Sequence, residues 1–286
     1  MKNFKKLALM GLTAVMSLSL LAACGGGNGG SAETPANNTE TSAVENSETP
    51  AGSTETPATG EFTTVEAGKL HMATNAAFPP YEMTTDDGGF EGIDVEVAQA
   101  IADKLGLELV INDMDFSTVV TSVQQGKCDM AMAGLTVNEE RLKNVDFTSS
   151  YATGIQVIIV KEGSEVTIDN LGDQLIGTQE GTTGWQYCTD DFGADHVQAF
   201  TSGAAAVQAL VAGSVDCVVI DNEPAKAYVE ANPGLTILDT EYAVEDYAIG
   251  VSKDNPALRE AIDAALVELI EDGTVQTIVD KYITAD

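Results

Sequence analysis

Arg141 and Asp221 are the residues whose chemistry and placement stand out first. After residue 23 the chain holds only two arginines, Arg141 and Arg259. Arg141 follows Gly134-Leu135-Thr136-Val137-Asn138-Glu139-Glu140, just beyond an apolar strand. A guanidinium offers a planar fork of donors that suits one carboxylate in bidentate fashion. Its plain alternative is a surface partner for Glu139 or Glu140. Asp221 ends the apolar run Val218-Val219-Ile220, where its carboxylate can accept from an ammonium group or cap the segment that begins at Glu223 or Pro224. Phe78 and Phe116 offer rigid apolar area to a bound molecule, or belong to a core. Gln179-Glu180-Gly181-Thr182-Thr183-Gly184-Trp185 opens a helix whose first amides, around Thr183, can hold a negative oxygen. It lacks the Lys-Ser/Thr ending of a phosphate loop. The two histidines, His71 and His196, sit in no metal-ligand or triad pattern, so no catalytic residue, metal or cofactor is expected.

The elements that must position these groups alternate. Lys69–Ala73 reads as a strand, and a helix runs from Ile93 or Asp94 to Leu105. Its apolar positions Val97, Ala98, Ile101 and Leu105 form one stripe; Asp94 suits its first turn as a cap, and Gly106 suits its left-handed exit. Leu107–Ile111 follows as a strand, Ser117–Gln125 as a helix and Asp129–Met132 as a strand. This is the rhythm of an α/β fold with a mainly parallel sheet. One phrase occurs twice: Val123-Gln124-Gln125-Gly126-Lys127-Cys128-Asp129 and Leu210-Val211-Ala212-Gly213-Ser214-Val215-Asp216, each leading into an apolar strand. Two similar halves, near residues 120 and 210, would leave a crevice at strand C-terminal ends, a natural ligand site.

Before the folded body lies an address and a spacer. Lys2, Lys5 and Lys6 precede an apolar run from Leu7 to Leu21, too short to span a bilayer core of about 20 residues but suited to export. Leu21-Ala22-Ala23-Cys24 resembles a bacterial lipoprotein processing site, which implies a signal peptide over 1–23 and lipidation (palmitate) of Cys24. Residues 24–66, rich in Gly, Ser, Thr, Pro, Asn and Glu, bury too little apolar surface to order themselves and read as a flexible acidic tether. Loss of residues 1–23 removes three lysines and no acidic residue, moving the formal charge from −32 to −35. Such a surface disfavours nucleic acid and anionic bilayers as partners. Membrane attachment is then expected from the lipid, on the extracellular face of the cell membrane. Cys128, Cys188 and Cys217 are an odd number and are expected to stay reduced and buried.

From Gly68 to the C-terminus the chain resembles the family-3 solute-binding proteins, the extracellular amino-acid binders of ATP-driven uptake systems. The resemblance rests on ordered motifs: Ala73-Thr74-Asn75-Ala76-Ala77-Phe78-Pro79-Pro80-Tyr81-Glu82, Gly92-Ile93-Asp94-Val95-Glu96-Val97, Met114-Asp115-Phe116-Ser117, Ala133 to Arg141, Val145-Asp146-Phe147, and Leu269-Ile270-Glu271-Asp272-Gly273-Thr274. It implies a two-lobe periplasmic-binding-protein-like fold, with each lobe a sheet flanked by helices and two strands crossing between them. Residues 67–154 plus 249–286 would form lobe one, and 155–248 lobe two.

The resemblance also assigns roles. Arg141, with Thr136 (hydroxyl and amide) and the Thr183 amide, would hold a ligand α-carboxylate. Asp221 and the Gly134 carbonyl would take its α-ammonium, and Phe78 and Phe116 would enclose the side-chain stem. Asn75 and Gln179 would face the polar end, where two amides suit glutamine or another neutral polar L-amino acid. The implied partners are that free amino acid and the permease and ATPase of an ABC importer, with the protein acting as a monomer. A ligand-sensing receptor subunit is the second reading and a dehydratase on the same fold the third.

Overall fold

The computed structural model describes residues 62–283. The signal segment, Cys24 and all of the tether before residue 62 lie outside these residues.

The first half comprises β1 (Lys69–Thr74), β2 (Ala77–Phe78), β3 (Glu82–Thr84), β4 (Phe90–Glu91), α1 (Ile93–Leu105), β5 (Glu108–Asp113), α2 (Phe116–Gln124) and β6 (Met130–Ala131). A long strand, β7 (Val145–Lys161), leads to the second half. There follow β8 (Ile176–Gln179), α3 (Thr183–Phe192), β9 (Val197–Phe200), α4 (Gly203–Ala212), β10 (Cys217–Asp221), α5 (Asn222–Ala231) and β11 (Leu235–Ile237). β12 (Ala243–Ser252) returns, and α6 (Pro256–Glu271) and α7 (Thr274–Tyr282) complete the described residues.

The large sheet runs β5-β1-β6-β12-β7-β10-β8-β9, with β11 added to β7. β5, β1 and β6 are mutually parallel, as are β10, β8 and β9, and the antiparallel pair β12 and β7 joins the two triplets. Each triplet has the same winding: first strand, helix, outer strand, helix, inner strand. The duplicated phrase marks the same place in both. Asp129 accepts from the His71 amide of β1 at 2.8 Å, and Asp216 accepts from the Leu175 amide ahead of β8 at 2.8 Å. In each half an aspartate satisfies an amide at the start of the central strand that the ladder leaves open.

Both sheet faces are covered, which is why the strands read as continuous apolar runs. In the first half Leu70, Met72 and Met130 pack under α1, α6 and α7, while Ala73 and Ala131 pack under α2 with Val119 and Val123. In the second half alternation splits β7: Val157 and Ile159 join Val207 and Leu210 of α4, and Ile158 and Val160 join Cys188 of α3. Cys128, Cys188 and Cys217 are buried free thiols. Burial pushes Cys188 and Cys217 up to about 12, far from the thiolate form.

Three expectations shift. Asp94 does not cap α1. Gly92 holds the N-cap position, and Asp94 turns inward to accept from the Gly134 amide at 2.8 Å and the Tyr151 hydroxyl at 2.7 Å. The strand expected over Asp129–Met132 pairs only at Met130–Ala131. Order also starts before residue 67: Phe62 packs on the first core, and the Val65 amide donates to Asp129 at 2.7 Å.

Gly92 has φ 130°, and a Cβ there would run into the Tyr81 carbonyl. The Tyr81 side chain is buried, so the backbone it would strike has little room to move. Gly92→Ala is expected to lower stability by about 3 kcal/mol, checked by denaturant unfolding; an unchanged midpoint would refute the strain.

Candidate functional site

All nine ligand-binding candidates line one cavity between the two halves, joined there by Ala133, Gln156, Thr182, Val219, Ile220 and Tyr247. The winding explains the convergence. Asn75 follows β1, Gln179 ends β8 and Asp221 ends β10, while Phe116 opens α2 and Thr183 opens α3. C-terminal strand ends and helix N-termini from both halves therefore meet at the crevice.

Arg141 opens a short 3-10 turn and is only 7% exposed. Its Nη1 donates to the Thr136 carbonyl at 2.8 Å and its Nη2 to the Gly181 carbonyl at 3.3 Å. The guanidinium lies 5.4 Å from the Phe116 ring centre. Among the described residues no carboxylate forms an ion pair with it; Glu140 pairs instead with Lys143 at 3.2 Å. Burial lowers Arg141 to about 10, so it stays charged at neutral pH. A buried cation without an ion-pair partner is costly, and an incoming carboxylate relieves that cost.

Asp221 is 1% exposed. Its Oδ1 accepts from the Glu223 amide at 3.1 Å, so the helix-cap role is realised. Its Oδ2 accepts from the Ile155 amide at 3.0 Å and the Tyr247 hydroxyl at 2.8 Å. An ionised carboxylate has about four acceptor sites, so one remains. Burial raises Asp221 to about 7, against the pull of these hydrogen bonds. Gly154 makes the arrangement possible, since a Cβ there would lie 2.6 Å from Asp221 Oδ2 and would strike the Tyr247 hydroxyl.

At the amide sites, the Thr182 hydroxyl caps α3 by accepting from the Trp185 amide at 3.2 Å. With no preceding helical turn, the amide of Thr183, which lines the cavity, has no intrahelical partner. Thr136 differs from expectation. Its hydroxyl donates to Glu245 Oε2 at 3.2 Å, and a hydroxyl has one proton to give. Its amide is left over by the local bridge, whose bonds run from Ala248 N to Leu135 O (3.1 Å) and Val137 N to Asp246 O (3.0 Å). Gly134 adopts φ 52°, and a Cβ there would sit 2.7 Å from the Phe78 ring. Phe78 itself stacks on Tyr81 with ring centres 5.6 Å apart.

Sequence reasoning missed Gln156, Thr182 and Tyr247 at the wall and Glu245 behind it. Glu245 is 4% exposed and joins the cavity's two sides, accepting from Thr136 and from Gln156 Nε2 at 3.0 Å. The available signal was a Glu-x-Tyr alternation on a strand otherwise apolar at its end. The halves also touch directly. Gln179 Nε2 donates to Asn75 Oδ1 at 2.9 Å, and the Tyr228 hydroxyl donates to the Ala77 carbonyl at 2.8 Å.

Comparison with known proteins agrees with this geometry. The chain is 27% identical over 225 residues to the L-cystine-binding protein TcyJ of Escherichia coli, covering 77% of this chain and 85% of that protein. It is 29% identical to the ABC transporter glutamine-binding protein GlnH of Bacillus subtilis, over 100% of this chain and 99% of that one. Among solved structures, an ancestral arginine-binding protein bound to glutamine superposes with TM-score 0.73 at 38% identity, covering 77% of this chain and all of that one. The arginine-, lysine-, histidine-binding protein ArtJ of Geobacillus stearothermophilus superposes at 0.72 with 31% identity, covering 76% and 96%. These relatives are binding proteins rather than enzymes, and their folds are two-lobed. Residues 70–285 match the bacterial extracellular solute-binding proteins, family 3, and the chain belongs to that family of amino-acid binders for ABC uptake.

Proposed function

We propose that the chain captures a polar L-amino acid outside the cell by closing two lobes over it, and delivers it to the permease of an ABC importer. The observation that carries this reading is a buried guanidinium that pairs with no carboxylate of the described residues, in the same cavity as a buried carboxylate with an acceptor site to spare. Arg141, with the amides of Thr136 and Thr183, holds the α-carboxylate. Asp221, with the Gly134 carbonyl, holds the α-ammonium. Phe78 and Phe116 enclose the stem, and Asn75 and Gln179 meet its end. Lobe one is 67–154 plus 249–286 and lobe two 155–248, with β7 and β12 as the crossings. Ligand contacts on both lobes favour the closed state because only that state makes all of them.

Glutamine is the leading ligand, because the distal end carries two neutral amides and no cationic side chain lines the cavity there. Arginine is the second reading, favoured by the arginine-binding relatives named above. The test is calorimetry against all common L-amino acids after removal of copurified ligand. One or a few polar amino acids are expected to bind; heat from none of them would overturn the reading.

The protein is further proposed to be held at the cell surface by lipid on Cys24 and to work as a monomer. Cys24→Ser is expected to move it from the membrane fraction to the medium or the soluble fraction, followed by immunoblot. Equal membrane retention of the variant would sink the anchor.

A further inference from the structure

We infer that the distal end of the cavity selects side chains that terminate in N–H donors and rejects those that terminate in acceptors. This rests on the proposed orientation of the ligand, with its head group at Arg141 and Asp221. The argument comes from two amides whose orientations are fixed by backbone carbonyls. Asn75 Nδ2 donates to the Met114 carbonyl at 2.9 Å, and Gln179 Nε2 lies 3.3 Å from the Thr201 carbonyl. A carbonyl can only accept, so the nitrogen of each amide must point at it. The usual ambiguity between amide oxygen and nitrogen is thereby removed.

The consequence is an inventory of what remains for a ligand. Gln179 Nε2 also donates to Asn75 Oδ1 at 2.9 Å, so both of its protons are used within the protein. Asn75 has one of its two amide protons on Met114. On the acceptor side, Gln179 Oε1 receives no hydrogen bond from the described residues, and Asn75 Oδ1 has a lone pair left. The end is therefore rich in acceptors and poor in donors.

Its electrostatics point the same way. Asp113, whose Oδ1 accepts from the Ala76 amide at 2.8 Å, pairs across the sheet with Thr74, the residue before Asn75, and among the described residues no lysine or arginine lines the cavity except Arg141. A glutamine amide nitrogen or an arginine guanidinium would place its protons on Gln179 Oε1 and Asn75 Oδ1. A glutamate carboxylate would face those same oxygens with only the one remaining Asn75 amide proton, and no cation, to meet it. A site built around one hydrogen-bonding polarity discriminates strongly against the opposite one.

Glutamine and glutamate are nearly isosteric and share a head group, so they isolate the tail. Calorimetry on the full-length chain, freed of copurified ligand, would compare glutamine, arginine, glutamate and norvaline, whose tail has no polar group. The better of glutamine and arginine is expected to bind at least about 100-fold more tightly than glutamate. Gln179→Leu is expected to cost that ligand tenfold or more while leaving norvaline unaffected. Glutamate affinity nearer than that margin would overturn the inference and leave the amino-acid reading standing. Silence from all four ligands would overturn the head-group reading itself, and this inference with it.

Discussion

Arg141→Ala is expected to reduce amino-acid affinity by at least about 100-fold without unfolding the protein. The guanidinium is buried, charged and bound only to two carbonyls, so its removal takes away the counter-charge for a ligand carboxylate. Breaking a buried charge pair by deleting one partner costs about 3–5 kcal/mol, and each 1.4 kcal/mol is tenfold. Stability should respond in the other direction. In the ligand-free protein Arg141 carries a desolvation cost that the nearby Glu245 charge offsets only in part, so the alanine variant should melt at or above the parent temperature. Arg141→Lys keeps the charge but loses the planar fork and the stacking on Phe116, and should recover only part of the affinity. Calorimetry and thermal unfolding together decide the matter. Undiminished affinity in the alanine variant would remove Arg141 from the site, and a collapsed melting temperature would make its role structural.

How much of this was legible beforehand differs by level. Helix α1 was readable almost to the residue, because its apolar stripe and Gly106 exit are local signals. The duplicated helix-Gly-x-x-Asp phrase correctly announced two similar windings, and its aspartates do the same work in each. Local signals fail where burial decides. Asp94 has the side chain of a cap, yet the turn above it is closed by Gly92, and the carboxylate instead braces the Gly134 loop from inside. Nothing within four residues of Asp94 reveals that Gly134 and Tyr151 lie beneath it.

The same limit applies to the cavity. The nine candidates meet because strand ends and helix starts converge, a consequence of the alternating rhythm together with the family motifs. Gln156, Glu245 and Tyr247 come from the crossing strands instead. Which of their residues face inward depends on the β7–β12 register, which pairs Glu245 with Gly154 and Tyr247 with Ala152 and slips near Ala248. A one-residue difference in register would turn all three away. Likewise, composition placed the tether's end at Glu66, while Phe62, a single aromatic in a polar stretch, already anchors to the core.

Ligand affinity should fall about tenfold per unit as pH drops below 7, so that binding at pH 5 is roughly 100-fold weaker than at pH 8. The group responsible is Asp221, held up to about 7 chiefly by burial, with nearby Glu245 adding to the rise and the Tyr247 hydroxyl and the amides of Glu223 and Ile155 opposing it. An ammonium requires the ionised carboxylate, so below 7 the ligand must displace a proton to bind. Arg141, at about 10, does not titrate in this window. The sign for stability is opposite. A carboxyl whose folded value lies above its unfolded value of 3.8 binds its proton more tightly when folded, so the ligand-free protein loses stability as pH rises from about 4 to 7. Asp94, raised to about 6 by burial, adds a loss of the same sense over a lower range. Saturating ligand should cancel the Asp221 share but not that of Asp94, because the ligand ammonium holds only Asp221 in its ionised form. Asp221→Asn then separates the two contributions. It should bind at least about 100-fold more weakly at pH 8, show an affinity independent of pH between 5 and 8, and retain the part of the stability profile that comes from Asp94 and from Glu82 and Asp129, which burial also raises. Parent affinity that stays level across that range would mean that the ammonium is held elsewhere, and that Asp221 serves only to cap α5 and tie β10 to Tyr247.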